Sequence, residues 1–281
     1  MSLLFQFRQE LKKLFARKRT YLGFVVFAVV EAGILLLLNL PGSSSGFQRV
    51  VERHGYNFAR YFSALTLAQS TLMWTATLLG ALYLAMISGD VVAKEVEDRT
   101  MRMILCRPVS HLRLGLLKYF ACVTYTFALV AFIGGSSLLL ALCCKSPGGL
   151  LVIVPQENIL AAYDAREGLP RYFASLPLLA LSLCSVTTLG FMFSCFKMKP
   201  ATATVATLSL FFADFILGNV RYFETLRPYI LNRRMSAWLH AYANPTPWPR
   251  MLPDYEFLLA LDLLCLVAGL ATLLRREFQP A

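Results

Sequence analysis

Six long apolar stretches constrain this sequence more than any other feature. Each has about the 20 helical residues needed to cross a hydrocarbon layer roughly 30 Å thick. Three of them contain no Asp, Glu, Lys or Arg, and each of the others contains a single acid. The stretches are Leu22–Leu40, Ala64–Ser88, Tyr119–Cys144, Tyr172–Phe196, Ala201–Val220 and Phe257–Leu274. The pattern predicts an all-α integral membrane protein in which residues 1–281 form a single domain with six transmembrane helices.

The composition agrees with a chain that uses the bilayer as its solvent. Of the 281 residues, 57% are hydrophobic and 15% are charged, whereas soluble domains carry about 25% charged residues. The net charge of +11 does not indicate a nucleic-acid partner, because the basic residues flank the apolar stretches. Most of the 27 lysines and arginines lie in the segments that six spans would place on the same side as the amino terminus. These segments are the amino-terminal arm, the connections after the second and fourth stretches, and the residues after the sixth stretch. The positive-inside rule therefore predicts that both termini face the cytoplasm.

Residues 1–20 have the pattern of a basic amphipathic helix. Apolar residues recur at helical spacing, and basic residues occupy the rest of the helical wheel. The apolar residues are Leu4, Phe7, Leu11 and Leu14, and the basic residues are Arg8, Lys12, Lys13 and Arg17. Helices of this type lie in the interface between membrane and water. We therefore expect an interfacial arm before the first transmembrane helix.

A second amphipathic pattern occupies the connection between the fifth and sixth stretches, residues 222–254. Its apolar residues are Leu231, Met235, Trp238 and Tyr242. Trp and Tyr are typical of interfacial anchors, so we expect a helix that lies flat on the outer face or enters the membrane as a re-entrant segment. The prolines at positions 245, 247, 249 and 253 predict that the chain returns to the sixth stretch without helix.

Several kinds of catalytic site are excluded by missing residues. No Gly-Lys dipeptide occurs, so the chain has no Walker A loop to bind ATP phosphates. The histidines, His54, His111 and His240, all lie outside the apolar stretches, which argues against a zinc site or a histidine-dependent protease in the bilayer. The seven cysteines contain no CxxC pair. We expect no catalytic residue, metal or cofactor in this chain.

The connection between the second and third stretches, residues 89–118, combines many charges with an apolar pattern. Val92, Val96 and Met103 are interleaved with lysines, arginines and acids. A short helix with this charge density cannot enter the bilayer, so we expect a helix on the cytoplasmic face with Glu95 and Glu97 exposed. A solvated loop is the alternative.

This connection resembles the signature of the permease subunits of type-2 ABC exporters. The matching residues are Gly89-Asp90, Ala93-Lys94-Glu95-Val96-Glu97, Ile104-Leu105-Cys106-Arg107-Pro108-Val109-Ser110 and Lys118. The segment Arg275-Arg276-Glu277 is similar to the arginines and acid that end members of this family. Arg99 departs from the pattern, which usually has glycine at that position.

The resemblance implies a six-helix permease of the bacterial inner membrane that dimerises with itself or with a paralogous permease. It implies two copies of a separate ABC ATPase, which would bind ATP and Mg, docked on the arm and on a coupling helix. The expected coupling residues are Asp90, Glu95, Glu97, Arg102, Pro108 and Lys118, with Phe7, Arg8, Leu11 and Lys12 in the arm.

The charge-poor interior favours export of a hydrophobic or amphipathic substrate. Two alternatives remain, each from a different class of protein. One is a membrane scaffold or immunity protein, which would need no ATPase. The other is a membrane-embedded lipid-modifying enzyme, which should show clustered acids or histidines at one membrane face.

Single acids interrupt three of the apolar stretches: Glu31, Asp214 and Asp262. Such a charge costs about 2.5–3.5 kcal/mol at mid-bilayer, so it usually faces a bundle interior or a wet cavity. We expect Glu31 near the middle of its helix, and Asp214 and Asp262 towards the outer half. There they would be within reach of Arg221 or Arg227. Three roles for these acids are open. They could tie helices to the outer connection through ion pairs and hydrogen bonds, line an exit path, or face lipid in protonated form.

Overall fold

The predicted spans are helical in the computed structural model, and six helices among the described residues are long and apolar enough to cross a membrane. The structure describes residues 3–16, 18–40, 48–49, 52–53, 61–98, 110–154, 157, 159–220 and 229–275. The six-helix architecture expected from the apolar stretches is therefore confirmed.

Most of the helices extend beyond their apolar stretches into polar flanks. The first elements are α1 (Leu3–Phe15), α2 (Lys18–Asn39), α3 (Ala64–Trp74), a π-helical turn (Thr75–Gly80) and α4 (Ala81–Glu97). Then follow α5 (His111–Cys144), α6 (Ala165–Cys195), α7 (Pro200–Asn219), α8 (Leu231–Met235), a 3-10 turn (Ser236–Tyr242) and α9 (Trp248–Leu274). The second span, α3 to α4, has 34 residues and is about 50 Å long, so it reaches beyond the hydrocarbon layer.

Helix α6 lies at the centre of the bundle, where it packs against α3, α4, α5, α7 and α9. Helices α2 and α7 are peripheral, and few of their residues are buried. The bundle has two ends that differ in composition. We call the end that carries α1 and the carboxyl ends of α4, α6 and α9 the arm end. The opposite end carries a β-hairpin, residues 150–163, and we call it the hairpin end.

A β-hairpin that the sequence analysis did not predict caps the hairpin end. Strand β1 (Leu150–Val154) pairs antiparallel with β2 (Ile159–Tyr163). The backbone N–H of Leu151 donates to Thr66 Oγ1 at 3.0 Å, which fastens the hairpin to the start of α3. Short apolar runs beside a membrane helix do not reveal by periodicity whether they form strand or helix, so this hairpin could not be predicted from the sequence pattern.

The apolar stripe predicted in residues 222–254 is present, but it faces protein. Its members Leu231, Met235, Trp238 and Tyr242 are all buried. The 3-10 turn packs against α6 and α9, and Trp238 is only 2% exposed. The interpretation of this stripe as an interfacial anchor is therefore wrong, because an apolar face can be covered by protein as well as by lipid. Residues 222–228 lie outside the described part of the chain.

Helix α9 begins at Trp248, well before the predicted start at Phe257, although it contains Pro249 and Pro253. Pro249 lies in the first turn, where a backbone N–H has no helical acceptor, so its missing donor costs no hydrogen bond. Only Pro253 removes a donor that the helix would use. The prediction that the prolines exclude helix here is wrong for this reason.

Candidate functional site

An ion cluster fastens the amino-terminal arm to the arm end of the bundle. Lys118 Nζ lies 2.9 Å from Glu10 Oε2 and 2.7 Å from Glu95 Oε1. Lys13 Nζ lies 2.7 Å from Glu10 Oε1 and 3.7 Å from Glu95 Oε1. These four residues, which we call the arm cluster, join α1, α4 and α5.

The helical spacing of α1 explains why its two members of the arm cluster point the same way. Glu10 and Lys13 are three residues apart, so they lie on one face of the helix. Leu14 is buried next to them, and the predicted arm residues Phe7 and Leu11 pack against the core. The predicted basic residues of the arm, Arg8 and Lys12, are exposed. The apolar stripe of the arm therefore contacts the bundle over most of its length.

Burial makes the pairing within the arm cluster necessary. The Lys118 side chain is 1% exposed, and those of Glu10 and Glu95 are 11% and 10% exposed. An unpaired buried ammonium or carboxylate would cost several kcal/mol, but two lysines and two glutamates neutralise each other. A cavity of about 10 Å³ lies among these side chains, which is room for about one water molecule.

The charges of the arm residues follow from this geometry. Burial alone would raise the pKa of Glu10, but Lys118 and Lys13 outweigh it and hold the pKa below its usual value. Burial alone would lower the pKa of Lys13, but Glu10 and Glu95 outweigh it and raise the pKa above its usual value. Both residues are therefore ionised at neutral pH, as the ion pairs require.

A second ion pair holds the start of α2 against α4. Arg19 donates from one guanidinium nitrogen to Asp90 Oδ2 at 2.8 Å, and the Asp90 side chain is 8% exposed. The Tyr83 hydroxyl donates to the Arg19 carbonyl at 2.7 Å. Thr20 Oγ1 donates to the Leu14 carbonyl at 2.7 Å, which bridges the break between α1 and α2. The arm and the first span are thus both tied to α4.

In the Gly89-Asp90 pair, each residue type is required by a different contact. A Cβ atom on Gly89 would lie 2.8 Å from Thr204 Oγ1 and 3.1 Å from the Thr204 backbone nitrogen, so only glycine lets α7 approach this closely. Asp90, one residue later, binds α2. Nearby, Ser194 Oγ accepts from the backbone N–H groups of Val92 and Ala93 at 2.9 Å each, which joins the end of α6 to α4.

The structure divides the predicted coupling residues into three groups. Asp90, Glu95 and Lys118 are buried in ion pairs, Glu97 is exposed, and the remaining two, Arg102 and Pro108, lie outside the described residues. The expectation that Glu95 is exposed on a separate helix is wrong. Gly89–Glu97 continue α4, and Glu95 is 8% exposed because Lys118 on the neighbouring helix neutralises it.

Sequence reasoning missed Glu10, Lys13 and Arg19 as members of this site. The available signal was that Glu10 is the only acid in an otherwise basic arm. A lone acid among cations predicts a specific partner, and Lys118, at the edge of an uncharged stretch, is a cation that needs one. Nothing in the sequence alone joins two residues so far apart in the chain.

The three intramembrane acids lie apart from the arm cluster and from one another. Glu31 is fully buried, and Ser137 Oγ donates to its Oε1 at 3.2 Å. Asp262 is 6% exposed and lies beside Ser185 and Thr188 of α6. The expectation that Asp262 lies towards the outer half of its helix is wrong, because α9 begins several residues earlier than predicted. Asp262 is consequently near the middle of α9.

Asp214 ties the fifth span to the connection that follows it. Its carboxylate accepts from the backbone N–H of Leu231 at 2.9 Å and of Asn232 at 2.6 Å, in the first turn of α8. The arginines expected near it, Arg221 and Arg227, lie outside the described residues. Within the described ranges, no group of three or more His, Cys, Asp or Glu side chains could hold a metal ion.

Comparison with known proteins places most of the chain in one family. Residues 6–240 match the family described as ABC-2 family transporter proteins. The match therefore extends from the arm through the fifth span into the connection that follows, and it includes every residue of the arm cluster. No curated protein sequence matches the chain.

Proposed function

This chain belongs to the ABC-2 family of transporter proteins, and we propose that it is the permease half of an ATP-driven exporter. Family membership makes it a membrane-spanning permease subunit and implies an ABC ATPase as partner. The proposal adds that two copies of the chain bind two ATPases in the bacterial inner membrane with the arm end in the cytoplasm. The cargo of the proposed exporter is hydrophobic or amphipathic.

The observation that carries the proposal is the arm cluster together with the Arg19–Asp90 pair. These contacts join α1, α2, α4 and α5 at one end of the bundle. Since packed and ion-paired helices move as units, a displacement of the arm or of the end of α4 would move three spans together. A permease that is moved by a separate ATPase needs this mechanical connection between its docking surface and its spans.

Exposed and buried charges at the arm end have different roles in the proposed mechanism. Arg8, Lys12 and Glu97 are exposed, and we assign them to contact with the ATPase. Glu95 and Lys118 are buried, and we assign them to transmission of the motion between arm and spans. The chain itself has no Walker A loop, so ATP and Mg would be bound by the partner ATPase.

Co-expression with an ABC ATPase from the same organism tests the proposal. We expect the two proteins to purify together, and ATP hydrolysis to disappear when the Walker A lysine of the ATPase is replaced. Proteoliposomes should move a fluorescent amphipathic cargo only when both proteins and ATP are present. ATP hydrolysis by the isolated permease, or cargo movement without the ATPase, would contradict the proposal.

A membrane scaffold or immunity protein remains the alternative function. Such a protein would show its biological effect without an ATPase. If cells that lack the gene of the partner ATPase keep the full phenotype conferred by this chain, the scaffold function is correct and the exporter function is not.

A further inference from the structure

An apolar groove runs between α2 and α4 on the outside of the bundle. It has a volume of about 370 Å³, and its walls include Leu22, Val26, Phe27 and Leu82. Leu22 and Val26 are 64% and 46% exposed, so the groove opens to the surroundings of the bundle. Its exposed apolar walls are open to lipid when a single copy of the bundle lies in a membrane.

Gly23 and Tyr83 give the groove its floor. A Cβ atom on Gly23 would lie 2.1 Å from the Tyr83 ring, so the missing side chain lets the ring lie against α2. The Tyr83 hydroxyl donates a hydrogen bond to the Arg19 carbonyl at 2.7 Å, which holds the ring in this position. The floor therefore consists of a fixed aromatic ring.

Arg19 marks the point where the groove meets a second, basic cavity at the arm end. This cavity has a volume of about 450 Å³ and shares Arg19 and Met86 with the groove. Two further cations, Lys94 and Lys199, line it together with Asp90 and Glu97. Asp90 is already paired with Arg19, so the charges that remain are mostly positive.

The amino terminus of α7 adds to this positive potential. Pro200 and Ala201, at the start of the 20-residue helix α7, line the same cavity. Backbone N–H groups at a helix start carry a partial positive charge and bind phosphate groups. Besides the Arg19–Asp90 pair, the cavity thus combines two lysines and a helix terminus, directly beside an apolar groove.

We propose that these two cavities bind one anionic phospholipid, with its phosphate in the basic cavity and an acyl chain in the groove. Charge complementarity selects this occupant: a zwitterionic lipid would bring a cation of its own close to the lysines, and free phosphate would not use the groove. Basic pockets between membrane helices are known to bind lipid headgroups. The proposal does not depend on the identity of the cargo.

Native mass spectrometry of the full chain tests the headgroup half of the site. The protein is equilibrated in detergent with equal amounts of phosphatidylglycerol and phosphatidylcholine, and we expect phosphatidylglycerol to be retained preferentially. The double variant Lys94→Gln/Lys199→Gln should reduce its affinity roughly 30-fold, because each charge is worth about 1 kcal/mol at a membrane surface. The matched control, Lys18→Gln/Lys197→Gln, removes two exposed lysines that do not line the cavity and should retain the preference.

A second pair of variants tests the acyl-chain half. Val26→Trp fills the groove and should reduce lipid retention at least tenfold, whereas Val29→Trp, on the same helix but outside the groove and 65% exposed, should not. Circular dichroism is the check that all variants remain folded.

Four results would overturn the assignment. The first is equal retention of the two lipids by the unaltered protein, and the second is equal loss of binding in the lysine control. The third is displacement of the bound lipid by inorganic phosphate with no effect of Val26→Trp, which would indicate a simple anion site. The fourth is a disulfide between two chains carrying Val26→Cys, which would show that a second copy occupies the groove.

Discussion

Lys118 Nζ lies 2.9 Å from Glu10 Oε2, although the two residues are 108 positions apart in the chain. The lysine side chain is almost completely buried, and its second partner, Glu95, comes from a third helix. Removal of one partner from a buried ion pair costs far more than the pair contributes relative to an apolar substitute. The contact therefore specifies where the arm docks more than it stabilises the bundle.

Replacement of Lys118 by alanine should destabilise the protein by about 3–5 kcal/mol, since it leaves Glu10 and Glu95 buried without their main cation. The measurement is the thermal unfolding midpoint in detergent. Lys12→Ala, an exposed charge on the same arm, is the control and should have little effect. The triple variant Glu10→Gln/Glu95→Gln/Lys118→Met should recover most of the loss, because no unpaired buried charge remains. Equal midpoints for Lys118→Ala and Lys12→Ala would contradict the role of the cluster.

Docking of the arm should depend on pH through Glu10 and Lys13. The pKa of Glu10 is lowered, so its contribution is complete above the unfolded value of about 4.3 and is lost as pH falls through the lower folded value. The pKa of Lys13 is raised, so its contribution is complete below about 10.4 and is lost as pH rises through the higher folded value.

A spin label at Gln9→Cys reports this titration, because Gln9 is exposed on α1. We expect a constant, restricted signal between these limits and a mobile one beyond them. The added change Glu10→Gln should abolish the acid transition. A transition near neutral pH would be inconsistent with these pKa directions.

Charge reversal should have different effects at Glu95 and at Glu97, which are two residues apart on α4. Glu95→Lys places a cation beside Lys118 and Lys13 in a buried site, so we expect loss of folded protein. Glu97 is exposed, so Glu97→Lys should leave the fold intact and weaken association with the ATPase. Yield after size-exclusion chromatography and co-purification of the ATPase measure the two effects. Normal assembly and transport in Glu97→Lys would remove this residue from the interface.

Replacement of Asp214 should loosen the first turn of α8 without unfolding the bundle. Its carboxylate accepts two backbone N–H groups there, and loss of such a helix-terminal acceptor costs about 0.5–2 kcal/mol. We expect faster amide exchange at residues 231–235 in Asp214→Ala and a smaller change in Asp214→Asn, which keeps one acceptor. Ser209→Ala, exposed on the same helix, is the control. Unchanged exchange together with altered export would favour an exit-path role.

Cysteine labelling tests which way the bundle crosses the membrane. Single cysteines in place of Lys13, Glu97 or Lys199 should react only from the cytoplasm. Cysteines in place of Arg53, Asp164 or Arg234 should react only from outside. The native Cys143 and Cys144 are exposed and must first be replaced. Labelling of positions 53 and 97 from one side would contradict the six-span topology.

The spans could be predicted because each is a local property of the sequence. About 20 apolar residues must form helix in a bilayer, whatever surrounds them. The motif Gly89-Asp90 was recognised as significant, but its contacts were not, since Thr204 and Arg19 come from elsewhere in the chain. Helices α5 and α9 begin at His111 and Trp248, in polar segments before the apolar stretches. The hydropathy pattern does not show these starts, so it places Lys118 and Asp262 too close to the beginnings of their helices.

The sequence by itself determined that this protein is a membrane permease with six helices, because hydropathy and a short charged motif depend only on neighbouring residues. Tertiary structure alone decided that Glu95 is buried, that the stripe around Trp238 faces protein, and that Arg19 lies where an apolar groove meets a basic cavity. Each of these is a relation between helices separated by tens of residues. Charge and periodicity show that such a residue needs a partner, but only the packing of the helices selects which one it meets.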